Sequence, residues 1–126
     1  MAGGDKIECT VPVLGVRDLA ESIAFYTEIL GFSHDWGGSG GTVCSVSRDG
    51  HSIMLSKAAK GDSAGWVWIG LEDDSLFEEY RVRGVKIVQE PANYSHAYEM
   101  KIEDVDGNVL WLGTEPREDL PLAAKE

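Results

Sequence analysis

The fold is decided by residues 11–32, which read VPVLGVRDLAESIAFYTEILGF. Residues 11–16 are apolar and partly β-branched, and a short run of this kind is typical of a β-strand. Asp18 follows as a helix N-cap, and Glu21 three residues later completes a capping box. Gly31 ends the helix because glycine adopts the left-handed conformation without steric cost. The stretch therefore predicts a strand followed by a helix.

The same pattern recurs 55 residues later, where residues 66–71 read WVWIGL. Ser75 and Glu78 are predicted to form a second capping box, and Gly84 is predicted to end the second helix. An internal repeat of this kind indicates two copies of one supersecondary unit.

Each copy continues with three further strands. Residues 32–36 and 85–89 supply one strand each, and two Asp-Gly pairs predict tight turns between the last two strands of each copy. These hairpins comprise 42–48 and 51–57 around Asp49-Gly50, and 98–103 and 108–113 around Asp106-Gly107. We predict one α+β domain over residues 1–126, built from tandem βαβββ modules at 8–57 and 65–114, with a linker at 58–64 and a loosely held tail at 115–126.

Alternate residues of a strand point to opposite faces of the sheet, and one face of each sheet must be covered by its helix. In the second copy, Val67, Ile69 and Leu71 are predicted to face the helix. The opposite faces are predicted to form one curved, unusually aromatic surface from Val11, Val13, Met54, Trp66, Trp68 and Trp111. A single tryptophan is usually part of a core, but three on one face favour a ligand-binding cleft.

Length and charge limit the function classes. The 126 residues carry a formal net charge of −11, which argues against a nucleic-acid partner, since such a partner needs clustered Lys and Arg. No apolar run approaches the ~18 residues of a membrane span. The first residues carry no hydrophobic signal, so we expect a cytoplasmic location. A negative field also favours cationic ligands.

The repeat and its motifs resemble the vicinal oxygen chelate superfamily, which includes glyoxalase I, extradiol dioxygenases, fosfomycin resistance proteins and bleomycin resistance proteins. The resemblance spans roughly residues 8–114. Residues 11–19, 25–36 and 66–69 are most similar to the bleomycin resistance branch, whereas the motif at 99–108 is shared across the superfamily. The resemblance implies a curved mixed sheet with a concave cleft.

Enzymes of this superfamily hold a divalent metal through His, Glu or Gln on the concave face. The resemblance places those positions at Val11, Met54, Trp66 and Trp111, give or take one residue. Zinc and iron require nitrogen or charged oxygen donors, which these side chains lack. We therefore expect neither a metal nor another cofactor, and consider catalysis less favoured than binding.

The bleomycin resistance branch consists of metal-free homodimers that sequester drugs in clefts between subunits. The resemblance places ligand contacts at Asp35, Trp36, Ser56 and Trp66. That branch commonly has Trp-Gly-Arg-Glu before its final hairpin, where this chain has His96-Ala97-Tyr98-Glu99. The expected ligand is accordingly bleomycin-like or another flat or cationic small molecule.

The sequence thus predicts a homodimeric, metal-free protein that sequesters an aromatic or cationic compound. Two alternatives stay open. One is a glyoxalase- or dioxygenase-type enzyme of the same fold, with acid–base groups such as His96, Tyr98 or Glu99. The other is a structural module whose aromatic face pairs subunits. The candidate ligand-binding residues are Trp66, Trp68, Trp36, Asp35, Trp111, Met54, Ser56, His96, Tyr98 and Glu99.

Overall fold

A computed structural model describes residues 6–38, 40–61 and 63–124. The first module contains β1 (Val13–Gly15), α1 (Leu19–Ala24) continued by a π-helical turn (Phe25–Ile29), β2 (Ser33–Gly37), β3 (Val43–Arg48) and β4 (His51–Ser56). The second module contains β5 (Trp66–Gly70), α2 (Ser75–Val82), β6 (Lys86–Asn93), β7 (Tyr98–Glu103) and β8 (Val109–Thr114). Among helices in the described ranges, none has the length and apolarity that a membrane crossing needs.

The two modules each form a four-stranded mixed sheet. The strand orders are β1-β4-β3-β2 in the first sheet and β5-β8-β7-β6 in the second sheet. In each sheet the first strand pairs parallel to the last, and the other pairs are antiparallel. The tandem βαβββ architecture is therefore confirmed. β1 and β5 both lie at an edge of their sheet.

The helix ends are set by local hydrogen bonds. The Asp18 carboxylate accepts from the Glu21 backbone N–H at 2.9 Å, as an N-cap should. The prediction for the second helix was wrong by one residue: Asp74 is the N-cap position, and Ser75 already lies inside α2. The Asp73 carboxylate accepts from the Ser75 N–H at 3.0 Å. Aspartate and serine are both favoured at the start of a helix, so the two aspartates before Ser75 take the place that was predicted for the serine.

The first hairpin turns through Asp49 and Gly50, which have φ angles of 53° and 80°. Two consecutive positive φ values are the requirement of a type I′ turn, whose twist matches that of the flanking strands. The second hairpin uses the longer loop 104–108. There the Asp104 N–H donates to the Asn108 carbonyl at 2.9 Å.

One hydrophobic core joins the modules. Its fully buried side chains come from both halves and include Tyr26, Leu30, Leu55, Met100 and Ile102. Val67, Ile69 and Leu71 pack against this core, as expected for helix-facing positions of the second copy. Because side chains alternate along β5, Trp66 and Trp68 point away from the core.

The Asp104 carboxylate, which is buried, links the modules. It accepts from the Tyr26 hydroxyl at 2.8 Å, from the Asn108 side-chain amide at 3.0 Å, and from the backbone N–H groups of Asp106 and Asn108 at 2.8 and 2.9 Å. The Asn108 amide also donates to the Gly15 carbonyl at 2.9 Å. A helix residue of the first module is thereby tied to the β7–β8 loop of the second.

Asp106 makes a second polar link between the modules. Its carboxylate accepts from the Arg17 backbone N–H at 2.9 Å, from Arg17 Nε at 3.1 Å and from the Ser22 hydroxyl at 2.7 Å. Burial by itself would raise the pKa of this carboxyl, but the hydrogen bonds from Arg17 and Ser22 outweigh it and lower the pKa below its usual value.

The tail is tied to β6 through Asn93. The side-chain amide of Asn93 donates to the carbonyls of Arg117 and Leu120 at 2.8 and 3.1 Å, and its oxygen accepts from the Arg117 N–H at 2.8 Å. The Ala123 N–H donates to the Asn93 carbonyl at 2.7 Å. These contacts place residues 117–123 beside the end of the second sheet.

We expect Asp106→Asn to lower the free energy of unfolding by about 1–3 kcal/mol at pH 7, because the donors of Arg17 and Ser22 lose a charged, buried acceptor. The folded state lowers the pKa of Asp106, so its stabilising contribution is complete above the unfolded pKa of about 3.9 and is lost as pH falls through the lower, folded value. The difference between wild type and variant should therefore shrink in acid. Urea denaturation at pH 7 and at about pH 3 measures it.

Asp49→Asn is the matched control, since it removes the same charge from an exposed turn position. It should leave stability almost unchanged at both pH values. Equal stability of Asp106→Asn and wild type at neutral pH would contradict the assigned role of Asp106.

Candidate functional site

The three tryptophans predicted to share a face of the second sheet do so. Trp66 and Trp68 lie on β5 and Trp111 on β8, with Trp68 and Trp111 directly opposite in register. The Trp66 and Trp111 rings are stacked, with centroids 4.9 Å apart and planes 28° apart. Trp68 meets Trp111 edge-on at 6.5 Å. We call these three residues the tryptophan row; Trp66 is 62% exposed and Trp68 42%.

Lys101 packs against the tryptophan row and was not identified from the sequence. Its ammonium lies over the Trp111 ring, 3.8 Å from the centroid, which is a cation–π contact. Since β8 lies between β5 and β7, Trp66 and Lys101 approach the Trp111 ring from opposite sides. Trp111 is thus enclosed, whereas the outer face of Trp66 is open. Continuing the alternation along residues 98–103 would have placed Lys101 on this face.

Glu99 is buried beneath the same face. Its Oε1 lies 2.9 Å from His96 Nε2, and its Oε2 lies 3.8 Å from Lys101 Nζ. His96 is itself exposed; its ring lies 6.3 Å from Trp68 and is stacked on Tyr94 at 5.7 Å. The carboxylate therefore contacts two basic side chains of its own chain.

Tyr98 does not join these residues. Its ring packs against Phe77 of α2, with centroids 5.5 Å apart. Tyr98 therefore lies on the helix-covered face, since it precedes Glu99 in β7 and neighbouring side chains of a strand point to opposite faces. Of the run at 96–99, the structure brings only His96 and Glu99 to the tryptophan row.

The first sheet holds a second group of candidate residues. A bulge in β2 between His34 and Trp36 leaves the Asp35 carboxylate accepting from the hydroxyls of Ser45 and Ser47 at 3.1 and 2.8 Å. Trp36, which is 51% exposed, is opposite Ser45. These residues share their face with Met54 and Val13, which continue the same row of register partners.

Ser56 has a local structural role at the end of β4. Its side chain is buried, and its hydroxyl accepts from the Ala59 N–H at 3.3 Å. The hydroxyl thus stabilises the turn that leaves β4.

The residues at the superfamily's metal-ligand positions do not fit a divalent metal. Val11, Met54, Trp66 and Trp111 offer hydrocarbon, thioether and indole groups, and hard or borderline cations bind none of these well. Within residues 6–38, 40–61 and 63–124, no group of three His, Cys, Asp or Glu side chains could hold a metal ion.

A cleft of about 670 Å³ lies between the modules. Its walls include Val67 and Ile69 of β5 and Leu110 and Leu112 of β8, all on the core-facing side of the second sheet. Among the ten candidate residues predicted from the sequence, Trp68 is the one that borders this cleft. The exposed tryptophan surface and the cleft are thus different features of the molecule.

Several solved structures resemble this one. The bleomycin-binding protein from bleomycin-producing Streptomyces verticillus, solved with copper(II)-bleomycin, is 26% identical, with 90% of this chain and 99% of that chain covered and a TM-score of 0.71. TnmS3, an antibiotic binding protein from a Streptomyces species, is 23% identical, with 87% and 99% covered and a TM-score of 0.72.

A glyoxalase/bleomycin resistance protein/dioxygenase from Nocardioides is 20% identical, with 96% of this chain and 91% of that chain covered and a TM-score of 0.70. No curated protein sequence matches the chain significantly. The family model that matches is that of the Glyoxalase/Bleomycin resistance protein/Dioxygenase superfamily, over residues 8–112. The match covers most of the chain, which therefore belongs to this superfamily.

Proposed function

We propose that this protein is a metal-free binder that sequesters a flat, cationic aromatic small molecule, in the manner of bleomycin resistance proteins. The observation that carries the proposal is the open outer face of Trp66 on an edge strand. Its inner face rests on Trp111, which Lys101 supports from the other side. A ligand ring would extend this stack by one layer.

The stacked arrangement favours binding on physical grounds. Aromatic rings attract one another when offset or stacked, and a ring already held in place loses little conformational freedom on binding. Trp66 is held by Trp111 before any ligand arrives. When a flat molecule removes the outer face of an exposed indole from water, the free energy of the complex is lowered.

Charge supports a cationic ligand, with Asp35 as the anionic partner. Glu99 is buried and already in contact with His96 and Lys101. Asp35 is exposed, and the Ser45 and Ser47 hydroxyls fix the orientation of its carboxylate. The net charge of −11 adds a long-range attraction that raises the rate of encounter with a cation.

A homodimer would complete the site. Trp66 and Trp68 stand on one open sheet edge, and Val13, which is about half exposed, stands on the other. Strand edges with exposed apolar side chains favour association with another chain. In the proposed dimer, the first sheet of one subunit faces the second sheet of its partner. Asp35 of one subunit and Trp66 of the other would then contact the same ligand. This shared site between subunits is distinct from the cleft between the modules of one chain.

The comparisons support this class of function. Two of the structural neighbours are described as a bleomycin-binding protein and an antibiotic binding protein. The cationic, planar character of the ligand of this chain is our inference from Trp66 and Asp35.

One observation favours a second candidate, an enzyme of the same fold. His96 and Glu99 form a hydrogen-bonded pair 2.9 Å apart beside Trp68, and an imidazole oriented by a carboxylate is a common general base. Turnover of a bound compound that disappears in His96→Gln would favour this candidate over sequestration.

We expect Trp66→Ala to weaken binding of bleomycin or a planar cationic dye by roughly one to two decades, since loss of an aromatic stacking partner costs about 1–3 kcal/mol. The fold should persist, because the Trp66 side chain is mostly exposed. Isothermal titration calorimetry with wild type and variant measures the change in affinity.

Asp35→Asn, compared with Asp49→Asn, separates charge from stacking. The Asp35 variant should chiefly slow association, and added salt should partly reproduce the effect in wild type, because exposed charges steer more than they hold. Unchanged affinity in Trp66→Ala would show that the stacking surface lies elsewhere.

We expect sedimentation at micromolar concentration to give about twice the chain mass of 13.7 kDa. Pairing of subunits would cover the exposed side chains on the edges of both sheets. A well-behaved monomer at that concentration, with or without bleomycin, would contradict a ligand site shared between two subunits.

We also expect protein purified without chelators to contain no stoichiometric metal, because the positions at Val11, Met54, Trp66 and Trp111 lack suitable donors. Elemental analysis by mass spectrometry decides the point. One tightly held equivalent of zinc, iron, nickel or manganese would refute the metal-free assignment.

A further inference from the structure

The indole of Trp68 lies directly on Gly113. A Cβ atom built on Gly113 would lie 2.5 Å from Cζ2 of Trp68 and 3.1 Å from Cζ3, with Cη2 closer still. The approaches to Cζ2 and Cη2 are shorter than real Cβ contacts allow. The six-membered part of the ring therefore occupies the space that any other residue at position 113 would need.

This absence of a side chain is not a backbone requirement. Gly113 lies inside β8 and is not among the glycines with positive φ, so alanine fits its backbone conformation. Glycine in a strand interior weakens the strand and often marks a close approach. Here the group that approaches closely is the Trp68 ring.

The register partners of Gly113 leave a depression on the same face of the second sheet. Gly113 is opposite Gly70 of β5 on one side and the buried Glu99 of β7 on the other. Trp68 belongs to the adjacent row, opposite Trp111, and diagonal neighbours across two strands lie within reach of an aromatic side chain. Trp68 consequently leans away from Trp66 and into the depression that the two glycines leave.

We propose that Gly113 is a positioning residue that holds Trp68 flat against the sheet and so keeps the ligand-facing side of Trp66 clear. Both tryptophans stand on the same face of the same edge strand. With a side chain at position 113, the Trp68 ring would have to rotate outward, into the space beside Trp66 where a ligand ring would stack. The consequence for ligand affinity rests on the proposed function, whereas the seating of Trp68 does not.

The test compares Gly113→Ala with Gly70→Ala. A Cβ on Gly70 would lie 3.7 Å from Nε1 of Trp68, which is an ordinary contact, so this variant adds the same methyl group to the same row without displacing the ring. We expect Gly113→Ala to change the near-ultraviolet circular dichroism of the tryptophans and to increase acrylamide quenching. We expect Gly70→Ala to resemble wild type in both. Affinity for bleomycin should fall about ten-fold in Gly113→Ala alone.

A double-mutant cycle keeps the proposal falsifiable if Gly113→Ala folds poorly. Trp68→Leu removes the ring, so adding Gly113→Ala in that background should have little further effect on stability or on the remaining tryptophan signal. Destabilisation of equal size in both backgrounds would assign Gly113 a backbone role and overturn the proposal. So would unchanged dichroism and quenching in a well-folded Gly113→Ala protein.

The two proposals fail differently. If wild type binds neither bleomycin nor a planar cationic dye, the proposed function is wrong, and the spectroscopic comparison still decides whether Gly113 seats Trp68. If wild type binds but Gly113→Ala binds equally well with a displaced ring, Gly113 seats Trp68 without influencing the ligand site, and the proposal is refuted.

Discussion

The structure depends on one buried carboxylate, that of Asp104. A charged group removed from water is costly unless hydrogen bonds replace its hydration. Here the Tyr26 hydroxyl, the Asn108 amide and two backbone N–H groups supply them. The Asn108 amide and both N–H groups lie in the same loop as Asp104, whereas Tyr26 belongs to the first module, so the full set of hydrogen bonds forms only when the modules adopt this arrangement. The hydrophobic core alone would tolerate small shifts between modules, because apolar burial is not directional; the hydrogen bonds are directional, and they select one arrangement.

That fixed arrangement determines what each sheet can expose. The inner faces meet the shared core through residues such as Val67 and Ile69, so the alternation of β5 leaves Trp66 and Trp68 no position but the outer face. Several features then limit the freedom of these rings: Trp111 lies against Trp66, Lys101 supports Trp111, and Gly113 admits Trp68. Aromatic side chains that are already ordered by their neighbours lose little further conformational entropy when a partner binds. An equally exposed but mobile aromatic surface would lose more.

Local patterns in the sequence were sufficient for most of the fold. The Asp49-Gly50 turn, the Asp18 cap and the outward face of β5 follow from chemistry within a few residues, and each is observed. The second helix cap was misplaced because Asp73 and Asp74 compete with Ser75. Tyr98 was listed among the candidate ligand-binding residues together with Glu99, although strict alternation along the strand puts the two on opposite faces. The same alternation would have identified Lys101. The bulge at Asp35 depends on the register between β2 and β3, and the contact between Trp68 and Gly113 depends on the register between β5 and β8. Local propensity does not determine either register.

The division of the candidate residues between two sheets has a consequence for the proposed ligand. The first sheet offers a carboxylate oriented by hydroxyls, with Asp35 beside the exposed Trp36, whereas the second sheet offers the stacked indoles of Trp66 and Trp111. The first is suited to a charged, hydrogen-bonding group and the second to a flat ring. A compound with only one of these groups would contact only one of the two sheets. Selectivity in such a site therefore arises from requiring both groups at once, and open edges at β1 and β5 are the places where two subunits would bring the halves together.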